Sequence, residues 1–267
     1  MVTDLGPQMK VSFARVRLET IGLPVFGKEF MNVLKDSFNR QFRYLRLSVT
    51  EKCNFRCSYC LPNGYQGKCK EAELNLKEIE NLLTGFRKLG FTKVRLTGGE
   101  PTLRADISEI VQIAKNLGFE NVGLTTNGYR LPELLPQLKT AGLDHLNISL
   151  DSLNKDNFEQ ITGRDMGDRV LIGIHQAMAM NFKNIKVNAV LLHEINSHEV
   201  DHFMTWVKEL PVTVRFIELM PTKNNQEYFK RHHLRADVFM DHLRSKGWQA
   251  VEKKFDSGPA QEFNHPD

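Results

Sequence analysis

Short strand-like runs alternate with longer amphipathic stretches along the chain from Tyr44 onward. The strand-like runs are residues 43–50, 93–97, 121–126, 145–151, 185–192 and 212–219. Between them, apolar residues recur at three- and four-residue spacing, as they do in helices that cover a sheet. Repeated strand–helix units predict an α/β fold with a parallel sheet and right-handed crossovers. Six such units are compatible with an open, doubly wound sheet or with a partial barrel.

The helical pattern is clear in the first predicted helix and absent from the N-terminus. The apolar stripe of that helix consists of Leu76, Ile79, Leu82, Leu83 and Phe86. Glycines follow three of the predicted helices, where a left-handed residue commonly ends a helix; they are Gly90, Gly118 and Gly142. Residues 1–35 show weak periodicity and scattered Gly and Pro, so we expect an irregular N-terminal extension.

Polar residues within the strands favour the partial barrel. Strands of a parallel sheet that is covered on both faces are normally continuous apolar runs, whereas here polar and apolar residues alternate. The cations at polar positions are Arg46, Lys93, Arg95 and Lys186. The apolar face must pack on the helices, so the polar face lines an interior, where unpaired cations are costly. We therefore expect a partial (β/α)6 TIM-type barrel that binds an anion at the C-terminal ends of its strands.

The sixth strand departs from this alternation. Arg215 and Glu218 are three residues apart, so they cannot both lie on the polar face of a regular strand. This spacing predicts a β-bulge between them.

Composition narrows the class of protein. The 36 Lys and Arg against 32 Asp and Glu give a net charge of +4 without long cationic runs, which does not favour nucleic-acid binding. No apolar run approaches the roughly 18 residues that span a bilayer, and the N-terminus has no signal-peptide pattern. Of four cysteines, three lie within eight positions, a spacing typical of a metal-ligand loop in a reducing compartment. We expect a cytoplasmic protein without a membrane or nucleic-acid partner.

Cys53, Cys57 and Cys60 form a C-x3-C-x2-C loop directly after the first predicted strand. Three thiolates can ligate three irons of a cubane cluster and leave the fourth iron without a protein ligand. An open metal position can bind a substrate directly. A structural zinc site would need a fourth ligand at closed-site spacing, and Cys69 lies nine residues beyond Cys60 without a C-x2-C partner. We interpret Cys69 as an ordinary thiol.

The cysteine loop resembles the signature of the radical S-adenosylmethionine (SAM) superfamily, in which an aromatic residue, here Tyr59, precedes the last cysteine. Residues 97–101 (TGGEP) resemble the Gly-Gly-Glu-Pro element of that superfamily, which holds the methionyl amino group. The resemblance implies a 4Fe–4S cluster whose open iron chelates SAM and which cleaves it to a 5'-deoxyadenosyl radical. Paired glycines let the backbone approach a ligand closely, and Glu100 would supply charge.

Further segments are similar to the GTP 3',8-cyclase family of molybdenum cofactor biosynthesis over about residues 36–267. They are residues 44–59 (YLRLSVTEKCNFRCSY), 93–101 (KVRLTGGEP), 123–128 (GLTTNG), 147–151 (NISLD), 186–188 (KVN) and 215–220 (RFIELM). By similarity, four residues would contact SAM: Tyr59, Gly99, Ser149 and Met220. Four others would contact GTP, and two more would join the same basic lining: Arg46, Arg95, Thr125 and Lys186, with Lys93 and Arg215.

This resemblance implies a lyase that starts molybdenum cofactor biosynthesis. The deoxyadenosyl radical would abstract the ribose C3' hydrogen of GTP and yield (8S)-3',8-cyclo-7,8-dihydroguanosine 5'-triphosphate. It also implies a flavodoxin- or ferredoxin-like electron donor and a cyclic pyranopterin monophosphate synthase downstream, and it is compatible with a homodimer. The family carries a C-terminal domain with a second cluster that residues 36–267 lack, so we expect impaired turnover.

Two other functions fit part of the pattern. A radical SAM maturase acting on a peptide would share the cysteine loop but would need no phosphate-binding cations. A non-catalytic module would bind zinc at the cysteines and RNA at the basic residues. Cations on matching faces of several strands favour the nucleotide enzyme, because Arg forks and Lys ammonium groups suit phosphate oxygens.

Overall fold

A single parallel sheet organises the chain, for which a computed structural model describes residues 33–67, 72–182, 184–222, 225–252 and 260–266. Its strands lie side by side in chain order: β1 (Tyr44–Ser48), β2 (Lys93–Thr97), β3 (Asn121–Thr126), β4 (His145–Ser149), β5 (Asn184–Leu191) and β6 (Thr213–Glu218). Each strand ends within two residues of the predicted run, so all six strand predictions are confirmed. Most of the predicted N-terminal extension, and Cys69, lie outside the described residues.

Helices connect the strands and cover one face of the sheet. They are α1 (Leu76–Lys88), α2 (Ile107–Asn116), α3 (Leu131–Thr140), α4 (Lys155–Thr162), α5 (Gly167–Ala179), α6 (Val200–Lys208), α7 (Gln226–His232) and α8 (Asp237–Ser245). Two short strands, β7 (Gln249–Ala250) and β8 (Phe263–Asn264), form an antiparallel pair after α8. A capping box of Asn75 and Glu78 starts α1, and Gly90 follows its end with a φ of +85°, as the glycine pattern predicts.

The hydrophobic core lies between the sheet and these helices. The parallel register places Leu47, Leu96, Leu124 and Leu146 side by side in one buried row. Ile79 of α1 packs in the same core and is fully buried. Full burial of each such side chain contributes roughly 1.5–3 kcal/mol. Because the apolar side chains point to the helices, the alternate residues point into the interior.

The sixth strand contains no bulge. Its register with β5 runs unbroken from Lys186 opposite Thr213 to Leu191 opposite Glu218. Glu218 therefore lies on the helix side of the sheet, where its carboxylate accepts hydrogen bonds from His233 Nε2 at 2.7 Å and from the Ala236 amide at 3.2 Å. The bulge prediction is wrong, because these local polar partners stabilise Glu218 on the outer face of an edge strand.

The sheet is a partial TIM-type barrel. β1 and β6 are its two edges, and no strand among the described residues joins them. The interior face is thus enclosed by the sheet and reached from its open side and its ends.

None of the helices in the described part of the chain is long and apolar enough to cross a membrane.

Candidate active site

The cysteine loop follows β1, as the sequence predicts, at the C-terminal edge of the sheet. Cys53 and Cys57 are half-buried and Cys60 is exposed. Backbone amides of the loop donate to carbonyls at the end of α4, Arg56 to Thr162 at 3.0 Å and Ser58 to Ile161 at 2.9 Å. Inside the loop, Phe55 is buried and makes edge-to-face contacts with two core rings, Phe158 and Tyr129. The loop is therefore anchored to the end of α4 and to the core between its first and last cysteines.

Two glycines after β2 let the backbone pack directly against the cysteine loop. The Gly99 amide donates to the Thr50 carbonyl at 2.8 Å, and the Glu100 amide donates to the Lys52 carbonyl at 2.7 Å. A Cβ atom would lie 2.3 Å from the Thr50 oxygen at Gly98 and 2.3 Å from the Lys52 oxygen at Gly99. The paired glycines are thus required by the loop that carries the cysteines, a reason that the sequence alone does not give.

Glu100 is 1% exposed and bonds inside the protein. Its carboxylate accepts hydrogen bonds from the Thr102 amide and hydroxyl, the Thr126 hydroxyl and the Asn127 amide, at 2.5–3.0 Å. Burial raises the pKa of this carboxyl, and the hydrogen bonds partly oppose that shift. The carboxylate joins the ends of β2 and β3, and the contribution of its charge to a ligand stays a prediction.

Asp151 links the cysteine loop to the end of β4 and to β5. The Tyr59 hydroxyl donates to Asp151 Oδ2 at 2.9 Å, and the Val190 amide donates to Asp151 Oδ1 at 2.8 Å. Burial raises the pKa of Asp151 from its ordinary 3.8 to about 6, although both hydrogen bonds lower it. Tyr59 is therefore held through its side chain at the end of β4.

We expect Asp151 to make the cluster-free chain lose stability as the pH rises from about 4 to about 6. Because its pKa is raised on folding, the folded chain keeps a proton that the unfolded chain releases in this window. The resulting loss in free energy of unfolding is about 3 kcal/mol. Urea unfolding of the unchanged chain and of Asp151→Asn across this range measures it. An equally steep pH dependence in Asp151→Asn would contradict the assignment.

Asn225 brings Met220 to the cysteine loop. Its side-chain amide donates to the Tyr59 carbonyl and to the Met220 carbonyl, both at 3.2 Å, and its Oδ1 accepts from the Thr222 amide at 2.6 Å. Met220 itself is 61% exposed. Sequence reasoning missed Asn225, because a polar residue before a short helix has no distinguishing pattern.

The residues that the resemblance assigns to SAM lie along this same edge. Tyr59 is in the cysteine loop, Gly99 follows β2, Ser149 ends β4 and Met220 follows β6. Ser149 pairs in register with Asn188 of β5, on the interior face of the sheet. The structure therefore places all four at the C-terminal mouth, around the three cysteines.

The cations form a second group in the middle of the strands. Arg46 and Arg95 are direct neighbours in β1 and β2, and Arg215 lies opposite Asn188 on the same face. Lys93 and Lys186 complete the interior basic lining of five cations. None of the five forms an ion pair with another residue in the described ranges.

Repulsion within this basic lining is visible in the pKa values. Burial lowers the pKa of Lys186, and the Arg215 charge lowers it further. Burial and then the Arg95 charge lower the pKa of Arg215. The carboxylate of Glu262, after β7, acts on both in the opposite direction. An anion bound between these groups would relieve the repulsion, because opposite charge favours the protonated forms.

Three buried polar atoms on the interior face lack hydrogen-bond partners among the described residues. They are Thr125 Oγ1, Asn188 Oδ1 and Arg215 Nε. Buried polar groups in native proteins are nearly always hydrogen-bonded, so these atoms can bond to a water molecule or to a polar ligand. Thr125 and Arg215 are predicted site residues, whereas the sequence analysis includes Asn188 only as part of the KVN segment that resembles the family.

His145 is a further interior residue that the sequence did not single out. Its ring Nε2 lies 2.9 Å from Asn121 Oδ1. Burial lowers its pKa, the Asp144 charge opposes this shift, and the charges of Arg95, Lys186 and Lys93 act in the same direction as burial. The interior cations therefore disfavour a further positive charge on this ring.

The donor set at the mouth suits an iron–sulfur cluster better than a single metal ion. In the described part of the chain, no three His, Cys, Asp or Glu side chains are arranged to hold one ion, whereas a cubane takes each thiolate on a different iron. Burial raises the pKa of all three thiols, so metal binding must displace their protons. Cys53, Cys57 and Cys60 would hold such a cluster.

The fold is shared with proteins of known structure. Streptococcus suis SuiB bound to S-adenosylmethionine matches 76% of this chain and 48% of its own length, with a TM-score of 0.58 and 17% identity. TYW1 with a lysine-pyruvate adduct matches 80% of this chain and 78% of its own length, with a TM-score of 0.54 and 17% identity. At this identity the likeness establishes the fold.

Sequence comparisons establish the family. The model of the Radical SAM superfamily matches residues 47–207. A GTP 3',8-cyclase of Aeromonas hydrophila is 47% identical over 250 residues, which cover 91% of this chain and 73% of the relative. A GTP 3',8-cyclase of Stenotrophomonas maltophilia R551-3 is 49% identical over 238 residues, which cover 89% of this chain and 73% of the relative. With the cysteine loop and the interior cations, these matches show that the chain belongs to the radical SAM superfamily and, within it, to the GTP 3',8-cyclase family.

Proposed function

We propose that this protein converts GTP to (8S)-3',8-cyclo-7,8-dihydroguanosine 5'-triphosphate by radical chemistry. The observation that carries the proposal is the interior basic lining: five cations without ion-pair partners among the described residues, with hydrogen-bonding atoms of Thr125, Asn188 and Arg215 itself left without partners there. This lining lies below the mouth that carries the cysteine loop. A triphosphate supplies the negative charge that would pair with these cations. Charge-assisted hydrogen bonds between such groups are stronger than neutral ones.

The mouth holds the radical-generating chemistry. Cys53, Cys57 and Cys60 would hold a 4Fe–4S cluster, which together with SAM would supply the 5'-deoxyadenosyl radical. Four residues around it would contact SAM: Tyr59, Gly99, Ser149 and Met220. Asp151 and Asn225 hold Tyr59 by its hydroxyl and its carbonyl, so Tyr59 is fixed at two points in the structure without ligand.

The interior orients GTP. The triphosphate would bind Arg46, Arg95 and Lys186, with Lys93 and Arg215 beside them, and Thr125 and Asn188 offer polar groups to the nucleoside. Holding the ribose C3' under the mouth brings its hydrogen to the radical and its carbon to C8 of the base, and such positioning is worth several kcal/mol of the barrier. The product is an isomer of GTP, so the cyclised radical must gain one electron and one proton.

Isotope transfer tests the function. The anaerobically reconstituted protein is incubated with SAM, a reductant and GTP deuterated at C3', and both products are analysed by mass spectrometry. We expect deuterium in 5'-deoxyadenosine and a nucleotide of unchanged elemental composition that carries the 3',8 bond. Formation of 5'-deoxyadenosine without deuterium, with GTP left intact, would overturn the proposal.

Reversing the charge of Lys186 should weaken GTP binding by roughly 30-fold or more, because a cation in the lining becomes an anion facing phosphate. Lys88→Glu is the matched control, since Lys88 is exposed at the end of α1 on the outer surface. Equilibrium dialysis of GTP against both variants measures the effect. If the enzyme acted on a peptide instead, the two variants would not differ in GTP affinity.

Partners of the reaction belong to the same proposal. Cleavage of SAM and reduction of the cyclised radical each consume one electron, which a flavodoxin- or ferredoxin-like donor would supply. The cyclised nucleotide would pass to a cyclic pyranopterin monophosphate synthase. A homodimer is compatible with the family resemblance, and light scattering of the reconstituted protein measures the oligomeric state.

A further inference from the structure

Arg95 is the cation of the interior basic lining whose orientation the structure determines most closely. Its Nε donates to the Tyr44 hydroxyl at 2.9 Å. Tyr44 lies on the same face of β1 as Arg46, diagonal to Arg95 across the β1–β2 pair. This hydrogen bond uses the Nε–H and leaves the two terminal nitrogens of the guanidinium for other partners.

Gly123 provides the space that this orientation needs. It lies directly opposite Arg95 in the β2–β3 register. A Cβ atom at Gly123 would lie 3.0 Å from the Arg95 Cζ and 3.1 Å from each terminal nitrogen. The guanidinium therefore lies over the bare backbone of β3, and its Nη1 is 3.5 Å from the Leu124 carbonyl. Any side chain at this position would push it aside.

The other neighbour of Arg95 explains why it turns this way. Arg46 lies opposite it on β1, and like charges that face each other directly across strands are destabilising. The Arg95 guanidinium extends away from Arg46 over the open backbone of β3. The Tyr44 hydroxyl then fixes the rotation of the guanidinium in this space.

We propose that Tyr44 and Gly123 are positioning residues that hold the Arg95 guanidinium, before substrate arrives, with its terminal nitrogens ready to bind an anionic group of the nucleotide. The proposal rests on the proposed function, because it assigns the nucleotide as the occupant of the interior. Neither residue has to touch the substrate. Both determine affinity by removing the reorganisation that a free arginine would undergo on binding.

Substitutions at the two positions test the proposal by GTP affinity and by coupling to Arg95. We expect Gly123→Ala, Gly123→Val and Tyr44→Phe each to raise the dissociation constant of GTP by up to about tenfold, with Val above Ala. Stability should change little at Gly123, since the neighbour that must move is the end of a flexible side chain. GTP-independent formation of 5'-deoxyadenosine by the reconstituted protein should stay unchanged in all three variants.

A double-mutant cycle separates positioning from a general structural effect. In an Arg95→Ala background, Gly123→Ala and Tyr44→Phe should no longer alter GTP affinity, because the group that they position is gone. Gly85→Ala in α1, where a Cβ meets nothing within 4 Å, is the control for the Gly-to-Ala change. Affinity losses that persist without Arg95, or variants that bind GTP as tightly as the unchanged chain, would overturn the inference alone. An unchanged chain that fails to bind GTP would overturn the proposed function with it.

Discussion

Replacing Cys57 by alanine is expected to abolish the iron–sulfur cluster and lower 5'-deoxyadenosine formation by more than about 100-fold. Three thiolates are the minimum set that holds a cubane while leaving one iron open, and Cys57 is the middle ligand of the loop. The substitution removes a single half-buried sulfur, so the sheet and helices should persist. Iron and sulfide content, visible absorbance and 5'-deoxyadenosine formation after anaerobic reconstitution measure the effect.

Cys69→Ala is the matched control for this experiment. It makes the same chemical change at a cysteine outside the C-x3-C-x2-C spacing. We expect it to keep about four irons per chain, as one cubane cluster requires. Retention of iron and SAM cleavage in Cys57→Ala, or their loss in Cys69→Ala, would contradict the assignment of the ligands.

Gly99→Ala is expected to lower cluster content towards that of Cys57→Ala, although Gly99 is not a cluster ligand. The new Cβ would lie 2.3 Å from the Lys52 carbonyl oxygen and 2.5 Å from that of Glu51. Both are backbone atoms of the cysteine loop, so the loop must move or the end of β2 must withdraw. We expect the free energy of unfolding to fall by about 1–3 kcal/mol, as in overpacked cores. Urea unfolding and iron content measure the two effects.

Gly85→Ala is the control for Gly99→Ala, because it makes the same substitution at a position away from the cysteine loop. Gly85 lies inside α1, where alanine is expected to stabilise the helix by roughly 0.5–1 kcal/mol. If Gly99→Ala bound as much iron as Gly85→Ala, the close approach of β2 to the cysteine loop would have no importance for the cluster.

Buried polar side chains, together with the Phe55 ring, set the position of the cysteine loop. Glu100 ties the end of β2 to that of β3, while Asp151 and Asn225 tie Tyr59 to the later strands. Each side chain is less than 9% exposed. Polar networks that are fully bonded and buried specify one geometry, because any displacement leaves unpaired groups. Such a support is what a cluster needs if its open iron is to face one substrate pocket.

Much of the fold could be predicted from local patterns. Alternation in β1, β2 and β5 placed Arg46, Arg95 and Lys186 on the interior face, where the structure has them. The same rule led to a wrong prediction of a bulge at Glu218. Alternation assigns polar residues to the interior face, but it does not show which polar partners are available on the outer face. Glu218 is satisfied by His233 and the Ala236 amide, which come from the segment after α7.

The amino-acid sequence by itself determined the order of strands and helices, the cysteine loop and the anionic character of the substrate. These features depend on spacings of two to seven residues, which the periods of strand, helix and metal-ligand loop govern directly. Tertiary structure alone decided which groups meet. Tyr59 and Asp151 are 92 positions apart, and Tyr59 and Asn225 are 166 apart. The reason is physical: a local period fixes which face a side chain occupies, while its partner across the fold depends on how every intervening strand and helix packs.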